Sequence, residues 1–370
     1  MPNVVLSKSK LFKEIGKSFE DDEFIDICFD FGLEVELVRK ILFILYKGHD
    51  ENEEPIQLLL EDVNYVIEVP ANRPDLLSIE GIAYALRSYL KIEEYPGFSS
   101  INPKQKIQMF VQEKVQEVRP HVVAVIFRDV TFTPDNYASF IDLQEKLSAS
   151  VGKKRSLVAI GAHDLDTIQP PFYYDALLPE EIKFCPLNQE KLMTGPEILE
   201  FYSHHAQLKQ YVSLLKDLSH YPIIKDKNGV VLSLPPLING DHTKITLNTR
   251  NVFVECTALC KTKALIILET LSCLFSRYCA RKYVVEKVEI QPLKDCNPVC
   301  SKFENFIKYR TQITVHGLNA WFGAWHAFSF RGGGDDNLPE QRHHYRAPHI
   351  SSPKTFRKNF PRLSFFKSFK

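Results

Sequence analysis

This 370-residue sequence lacks the marks of several function classes. Lysine plus arginine equals aspartate plus glutamate, 46 against 46, so net charge argues neither for nor against a polyanionic partner. The longest unbroken apolar run in the early chain, Ile41–Tyr46, falls far short of the ~20 residues a membrane span needs, so no membrane association is expected. A secretory leader is not apparent, and the eight cysteines are scattered at 28, 185, 256, 260, 273, 279, 296 and 300; a reduced, cytoplasmic protein is expected. The Cys-x-x-x-Cys pairs 256/260 and 296/300 are too loosely spaced to predict a zinc site. There is no Ser-His-Asp order, GxSxG elbow, glycine-rich phosphate loop or metal triad. Internal repeats are absent.

What is present organises into four stretches. Residues 1–95 read as a small α/β unit. Val4-Val5-Leu6 predicts a strand, and Ser7 caps a helix that Gly16 ends. The acidic turn Glu20-Asp21-Asp22-Glu23 suits the positive end of a second helix, Phe19–Phe31, stopped by Gly32. Residues 36–60 fit neither period, and the acidic HDENEEP run reads as an exposed loop. Tyr65–Val69 predicts a strand entering a turn at Pro70-Ala71-Asn72-Arg73-Pro74. Asp75 then caps a third helix with Ile79, Ile82, Ala83, Leu86 and Leu90 on one stripe.

Residues 96–106 read as a polar linker, and residues 107–290 as a second domain. Strands are expected at 107–112, 121–132, 155–161, 170–176, 220–226, 229–234, 243–248 and 251–256, and helices at 135–149, 197–215 and 260–281. Strands interrupted by a few long helices, without regular βαβ alternation, predict an α+β fold. Residues 291–370 change character: both tryptophans, Trp321 and Trp325, precede a triple glycine. From 331 onward nine Lys/Arg face three Asp/Glu. With neither helical nor strand period, this stretch is expected to be a disordered, aberrant tail, as from a shifted reading frame or retained intron.

The chemistry-bearing residues cluster where apolar runs end. Leu157-Val158-Ala159-Ile160 leads to Gly161, His163 and Asp164. His163 suits a general base or a ligand contact; a buried histidine holding a neighbouring carbonyl is the equal alternative. Asp164 and Asp166 alternate, so one is expected to face a pocket and the other to cap a turn. Asn239-Gly240 is a strong hairpin-turn signal. Glu255 and Thr257 share one face of a strand, as the polar floor of a pocket. Such a set positions a substrate and a water rather than forming a covalent intermediate.

These stretches closely resemble the β subunit of eukaryotic and archaeal phenylalanyl-tRNA synthetase. LFKEIGKSFEDDEFIDICFDFGLE is similar to that family's N-terminal domain, and PANRPDLLSIEG to its strand–turn–helix signature, with Pro74 where an aromatic is usual. SFIDLQEKL, KKRSLVAIGAHDLDTI, PLNQ, GVVLSLPPLINGDHTKITLNTRNVFVECT and FSRYC follow in family order over residues 60–290. The resemblance implies that the second domain is an editing domain, which hydrolyses tyrosine wrongly esterified to the phenylalanine tRNA. It places the site on Asn239, Glu255, Thr257 and Thr262, with His163 nearby. It implies the terminal adenosine of tRNA(Phe) with its aminoacyl group as partner, and an α subunit that holds the aminoacylation site. ATP and Mg act in that full complex, and no cofactor is expected in this chain. Two departures stand out. Residues 36–59 are unlike the family's acidic connection, and Leu259-Cys260 replaces a Thr-Asp pair, putting a thiol where an editing acid is expected. The likeness is read as ending near Gln291, which implies a truncated β subunit; a non-catalytic RNA-binding or assembly fragment is the alternative.

Overall fold

Buried Val4 and Leu6 alternate with exposed Val5 along the first strand, β1 (Asn3–Ser7), and Ser7 caps α1 (Lys8–Ile15) by accepting the Lys10 amide at 3.3 Å. This computed structural model describes residues 2–45, 58–93, 97–101, 103 and 106–293; the HDENEEP run, read as a loop, and the residues beyond 293, read as a tail, lie outside the described residues. Gly16 and Gly32 close α1 and α2 (Asp21–Phe31) in the left-handed conformation, at φ 80° and 93°, as their sequence positions predict. β2 (Glu34–Leu45) and β3 (Leu58–Glu68) pair antiparallel, with β1 on the other edge of β3. Much of the 36–60 stretch that fits neither period is therefore two arms of a long strand pair. The rings of Phe12, Phe19, Phe24 and Tyr65 fill the unit's centre, Phe24 stacking on Tyr65 at 4.8 Å.

The signature that follows departs from its expected capping. Pro74–Leu76 closes a single 3₁₀ turn, and the Arg73 guanidinium takes the Asp75 carboxylate with two donors at 3.0 and 2.8 Å. Asp75 is thereby occupied, and Ser78 caps α3 (Ile79–Tyr89) instead, its Oγ accepting the Gly81 amide at 3.2 Å. Gly81 lets this turn pack tightly: a Cβ there would lie 1.7 Å from the Asp75 carbonyl oxygen. Gly81→Ala is therefore expected to destabilise the chain by ~2–3 kcal/mol, read as a lowered urea midpoint, because backbone rather than a side chain must move. Glu80, 1% exposed, ties this unit to the next by accepting from Ser139 Oγ at 2.6 Å and Tyr278 OH at 3.1 Å.

The second unit is α+β, as expected. Its chain runs through β4 (Ser99–Ile101), β5 (Gln108–Val111), α4 (Val115–Val118), β6 (His121–Phe127), α5 (Pro134–Ala149), β7 (Val158–Asp164) and β8 (Phe172–Leu177). It continues through β9 (Lys183–Phe184), β10 (Met193–Thr194), α6 (Gly195–Ser203), α7 (Lys209–Val212), β11 (Tyr221–Lys225), β12 (Val231–Leu234) and β13 (Ile238–Asn239). β14 (Val252–Ala258), α8 (Lys261–Phe275), β15 (Val284–Lys287) and β16 (Glu289–Pro292) complete it. One sheet has the order β4-β15-β6-β14-β7 and the other β13-β12-β11-β8-β5-β16. Within the stretch read as a linker, residues 99–101 pair with β15 in the first of these sheets, and β16 reaches Pro292.

The pleat of β14 sorts its side chains between two cores. Val254, Cys256 and Ala258 pack with α5 and α8, whereas Phe253 packs between the sheets with Ile126, Phe172 and Tyr174. Glu255 and Thr257 therefore enter the space between the sheets. One expected strand does not form and one expected helix is broken in two. The 243–248 run is drawn into turns because Thr249 Oγ1 accepts the Thr246 amide and Asp241 accepts the Asn188 amide, both at 2.9 Å. The expected helix 197–215 breaks after Ser203, where His205 Nδ1 accepts the amides of Gln207 and Leu208 at 3.3 Å.

Candidate active site

Register brings the predicted residues together. β7 pairs antiparallel with β14 so that His163 faces Phe253, Gly161 faces Glu255 and Ala159 faces Thr257. His163 and Asp164 therefore lie within β7 rather than beyond its end, because the strand starts three residues later than 155. The delay has a backbone cause: Lys153, Lys154 and Arg155 are all left-handed, at φ 48°, 52° and 62°. Side-chain-bearing residues in that region cost ~1 kcal/mol or more each, and such strain collects where a side chain must be aimed. Here it aims Arg155, whose guanidinium donates to the Leu237 carbonyl at 3.0 Å and lies 4.3 Å from the Tyr211 ring centre. Burial lowers the Arg155 pKa, while Tyr211 and Glu145 oppose the shift.

The hairpin joining β12 and β13 forms the facing wall. Ser233 pairs with Asn239 and Leu234 with Ile238, so the turn is the Pro235-Pro236-Leu237 corner with a cis Pro235–Pro236 bond. The Asn-Gly turn expected at 239–240 does not form: Gly240 is held by Leu232 and bridges to Pro186. Asn239 instead stands on the strand and lines a cleft of about 410 Å³ with Arg155, Ile160, Pro236 and Glu255, to which residues of α5, Tyr202 and His205 also contribute.

Glu255 is the cleft's innermost acid. It is 1% exposed, its Oε1 accepts from Ser233 Oγ at 3.3 Å, and its Oε2 has no hydrogen-bond partner. Behind it lies His163, fully buried, with Nε2 at 3.9 Å from Glu255 Oε1 and likewise unpartnered. Gly161 makes room for both: a Cβ there would meet Glu255 Oε1 at 2.2 Å and His163 Nε2 at 2.8 Å. His163 Nδ1 contacts Thr243 Oγ1 at 2.8 Å, so the ring holds a hydroxyl rather than a carbonyl.

The other expected site residues separate. Thr257 shares the face of Glu255 but is fully buried away from the cleft, its Oγ1 accepting from Arg119 Nε at 3.1 Å. Thr262 is exposed in the first turn of α8, the helix that packs on the opposite face of β14. Cys260 is the N-cap of that helix and makes no side-chain cap bond, and neither it nor Thr262 lines the cleft. The departure from the family acid thus falls on a helix cap. Cys260→Asp is expected to stabilise the chain by ~1 kcal/mol in thermal or urea unfolding, by supplying the missing cap acceptor, and to leave cleft chemistry unchanged. Asp164 and Asp166 divide differently from expectation too. Asp164 caps the turn after β7 and accepts from Thr249 Oγ1 at 2.6 Å, and Asp166 accepts from Asn251 Nδ2 at 2.9 Å; neither lines the cleft.

Three residues that sequence reading missed complete the site. Ser233 holds Glu255, Thr243 holds His163, and Arg119 anchors the strand end. Arg119 is 4% exposed and donates to Thr257 O at 3.0 Å, Arg155 O at 3.1 Å and Ser156 O at 3.4 Å. Burial lowers its pKa, and Tyr174, Glu255 and Cys256 oppose that shift. Nothing in the mostly polar Glu113–Val118 run before it marks it in the sequence. Cys256 faces the helical core, where burial and then Glu255 push its thiol well up, which disfavours the thiolate needed for a nucleophile or ligand. Among the described residues no cluster of His, Cys, Asp and Glu is placed to hold a metal, and no helix is long and apolar enough to cross a membrane.

Comparison with known proteins accounts for this architecture. Residues 1–91 match the model of the Phe-tRNA synthetase beta subunit B1 domain, and residues 113–289 that of the B3/4 domain. The phenylalanine–tRNA ligase beta subunit of Drosophila melanogaster is 47% identical over 323 residues, covering 87% of this chain and 54% of that protein. Its Homo sapiens counterpart is 42% identical over 291 residues, covering 78% and 49%. The structure of an N-terminal fragment of the Pyrococcus horikoshii phenylalanyl-tRNA synthetase beta subunit is similar at a TM-score of 0.65 and 31% identity, covering 80% of this chain and 78% of the fragment. The chain spans about half the length of the curated relatives it matches. The Drosophila match covers more of the chain than residues 1–290 supply, so the likeness extends beyond the stretch over which the sequence reading placed it. From matched domains and relatives alike, this chain belongs to the phenylalanyl-tRNA synthetase beta-subunit family, in its N-terminal part.

Proposed function

We propose that the second domain is an aminoacyl-tRNA ester hydrolase that removes tyrosine from mischarged tRNA(Phe). The observation that carries this reading is Glu255: a buried carboxylate at the inner end of a cleft, with one oxygen unpartnered and a histidine behind it. In this reading Asn239 and Arg155 hold the terminal adenosine and the ester. Glu255 accepts a proton from a water as the water's oxygen bonds to the ester carbonyl carbon. The ester C–O bond then breaks, releasing tyrosine and the tRNA hydroxyl. No covalent enzyme intermediate is involved. Tyrosine is distinguished from phenylalanine by a polar group on the cleft wall, where Gln144, Glu145, Ser148 and Gln189 supply candidates for the phenol. A partner left unpaired by phenylalanine gives strong discrimination.

In the same reading the chain acts in the cytoplasm alongside an α subunit that carries out ATP- and Mg-dependent aminoacylation, and needs no cofactor of its own. The purified 370-residue chain is expected to release tyrosine from tyrosyl-tRNA(Phe) faster than spontaneous hydrolysis and faster than it releases phenylalanine from phenylalanyl-tRNA(Phe). Release at the spontaneous rate sinks the enzyme reading in favour of a binding fragment. Cys260 gives that alternative no support, since it stands at a helix cap and not in the cleft.

A further inference from the structure

We infer that Thr243 is a positioning residue that fixes the tautomer of His163, leaving Nε2 bare toward Glu255. The inference rests on the hydrolase reading for its consequence, but its geometry stands alone. Thr243 is fully buried in the 3₁₀ turn Asp241–Thr243, packed against β7. Its Oγ1 makes two contacts, with the Gly240 carbonyl oxygen at 3.0 Å and with His163 Nδ1 at 2.8 Å. A hydroxyl has one hydrogen. Two oxygens 3.0 Å apart need that hydrogen between them, so Thr243 donates to Gly240 and accepts from His163. Nδ1 then carries the imidazole proton.

The opposite arrangement fails twice. It would leave the Thr243 and Gly240 oxygens facing each other without a hydrogen. It would also place an N–H on Nε2, whose nearest carboxylate oxygen, Glu255 Oε1, is 3.9 Å away and beyond hydrogen-bond reach. A buried unpartnered N–H is rarer and costlier than a buried unpartnered lone pair. The groups around the ring are Glu255 from β14, the stacked ring of Phe253 at 5.9 Å, and His242 from the same turn as Thr243. None competes for Nδ1.

The consequence falls on Glu255. At the cleft it takes the proton from the attacking water and returns it to the leaving tRNA oxygen, so none is gained or lost over a turnover. Nε2 lies 3.9 Å behind its Oε1, and a hydrogen there would favour the charged carboxylate and weaken it as a base, whereas bare Nε2 does not. His163 thus acts through Glu255, and Thr243 acts through His163.

The test is histidine-selective ¹⁵N labelling of the full chain, with the His163 signals assigned from His163→Gln. In the unliganded wild type near neutral pH, Nδ1 is expected in the protonated range and Nε2 in the bare range. Thr243→Val is expected to mix or invert the two and to lower kcat for tyrosyl-tRNA hydrolysis on the order of tenfold or more, with KM little moved. Thr243→Ser, which keeps the hydroxyl, is expected to restore both. A wild-type ring protonated on Nε2 overturns the inference, as does a Val variant that keeps both tautomer and rate. The wild-type and Ser spectra decide the matter even where Val fails to fold. Because the ring is read without substrate, a chain that does not hydrolyse tyrosyl-tRNA overturns the proposed function and leaves the tautomer measurable.

Discussion

Glu255→Gln is expected to lower hydrolysis of tyrosyl-tRNA(Phe) by about 10²–10⁴-fold in kcat, the span usual for loss of a positioned general base. The substitution is nearly isosteric, and an amide oxygen can still accept from Ser233 Oγ, which holds Glu255 Oε1 at 3.3 Å in the native chain. The fold and the cleft walls should therefore persist, and KM should change little, so the loss reports the transition state rather than binding. Gly161→Ala provides an independent route to the same result. Its Cβ would fall 2.2 Å from Glu255 Oε1 and 2.8 Å from His163 Nε2, and the carboxylate is the only one of the two with freedom to swing aside. Activity should fall comparably, with a further ~1–3 kcal/mol of destabilisation from overpacking. Wild-type turnover in the Gln variant, in a chain with unaltered unfolding, would remove Glu255 from the mechanism.

Arg119→Met carries the largest expected stability loss, ~3–5 kcal/mol in urea unfolding. Methionine recovers much of the packing but none of the donors. Thr257 Oγ1 and the carbonyls of Thr257, Arg155 and Ser156 would each lose one in a closed, water-poor site. An unsatisfied buried acceptor costs ~1–3 kcal/mol. Arg119→Lys should recover less than half of the loss, since an ammonium lacks the planar fork that reaches several acceptors at once. The same substitutions should loosen the left-handed Lys153–Arg155 turn and so lower affinity for the tRNA end. An Arg119→Met chain as stable as the wild type would show that these bonds contribute no net stability.

What proved legible in the sequence is what neighbouring residues decide. Ser7, Gly16 and Gly32 cap helices through bonds spanning a few residues, so their chemistry is visible in the string. The alternation at Phe253, Glu255 and Thr257 is equally local, since a strand's pleat has period two. Asp75 and the Asn239-Gly240 pair misled because each had a competitor. The Arg73 guanidinium captured the aspartate, and the Pro235-Pro236-Leu237 corner took the turn before Asn-Gly was reached. Thr262 and Cys260 differ: the family resemblance put them with the site, but α8, which they begin, packs on the other face of β14.

By itself the sequence determined the family, the α+β class, the caps at Ser7, Gly16 and Gly32, and the two strands on which the acid and the histidine stand. Tertiary structure alone decided which of those residues meet. Glu255 lies against His163 only because β7 and β14 pair in one register, and a shift of one residue would turn either side chain to the helical core. Ser233 reaches Glu255 across 22 residues, Thr243 reaches His163 across 80 and Arg119 reaches Thr257 across 138, distances over which no periodicity or spacing carries information. Burial then gives those contacts their weight, because polar groups sealed from water must find partners within the fold.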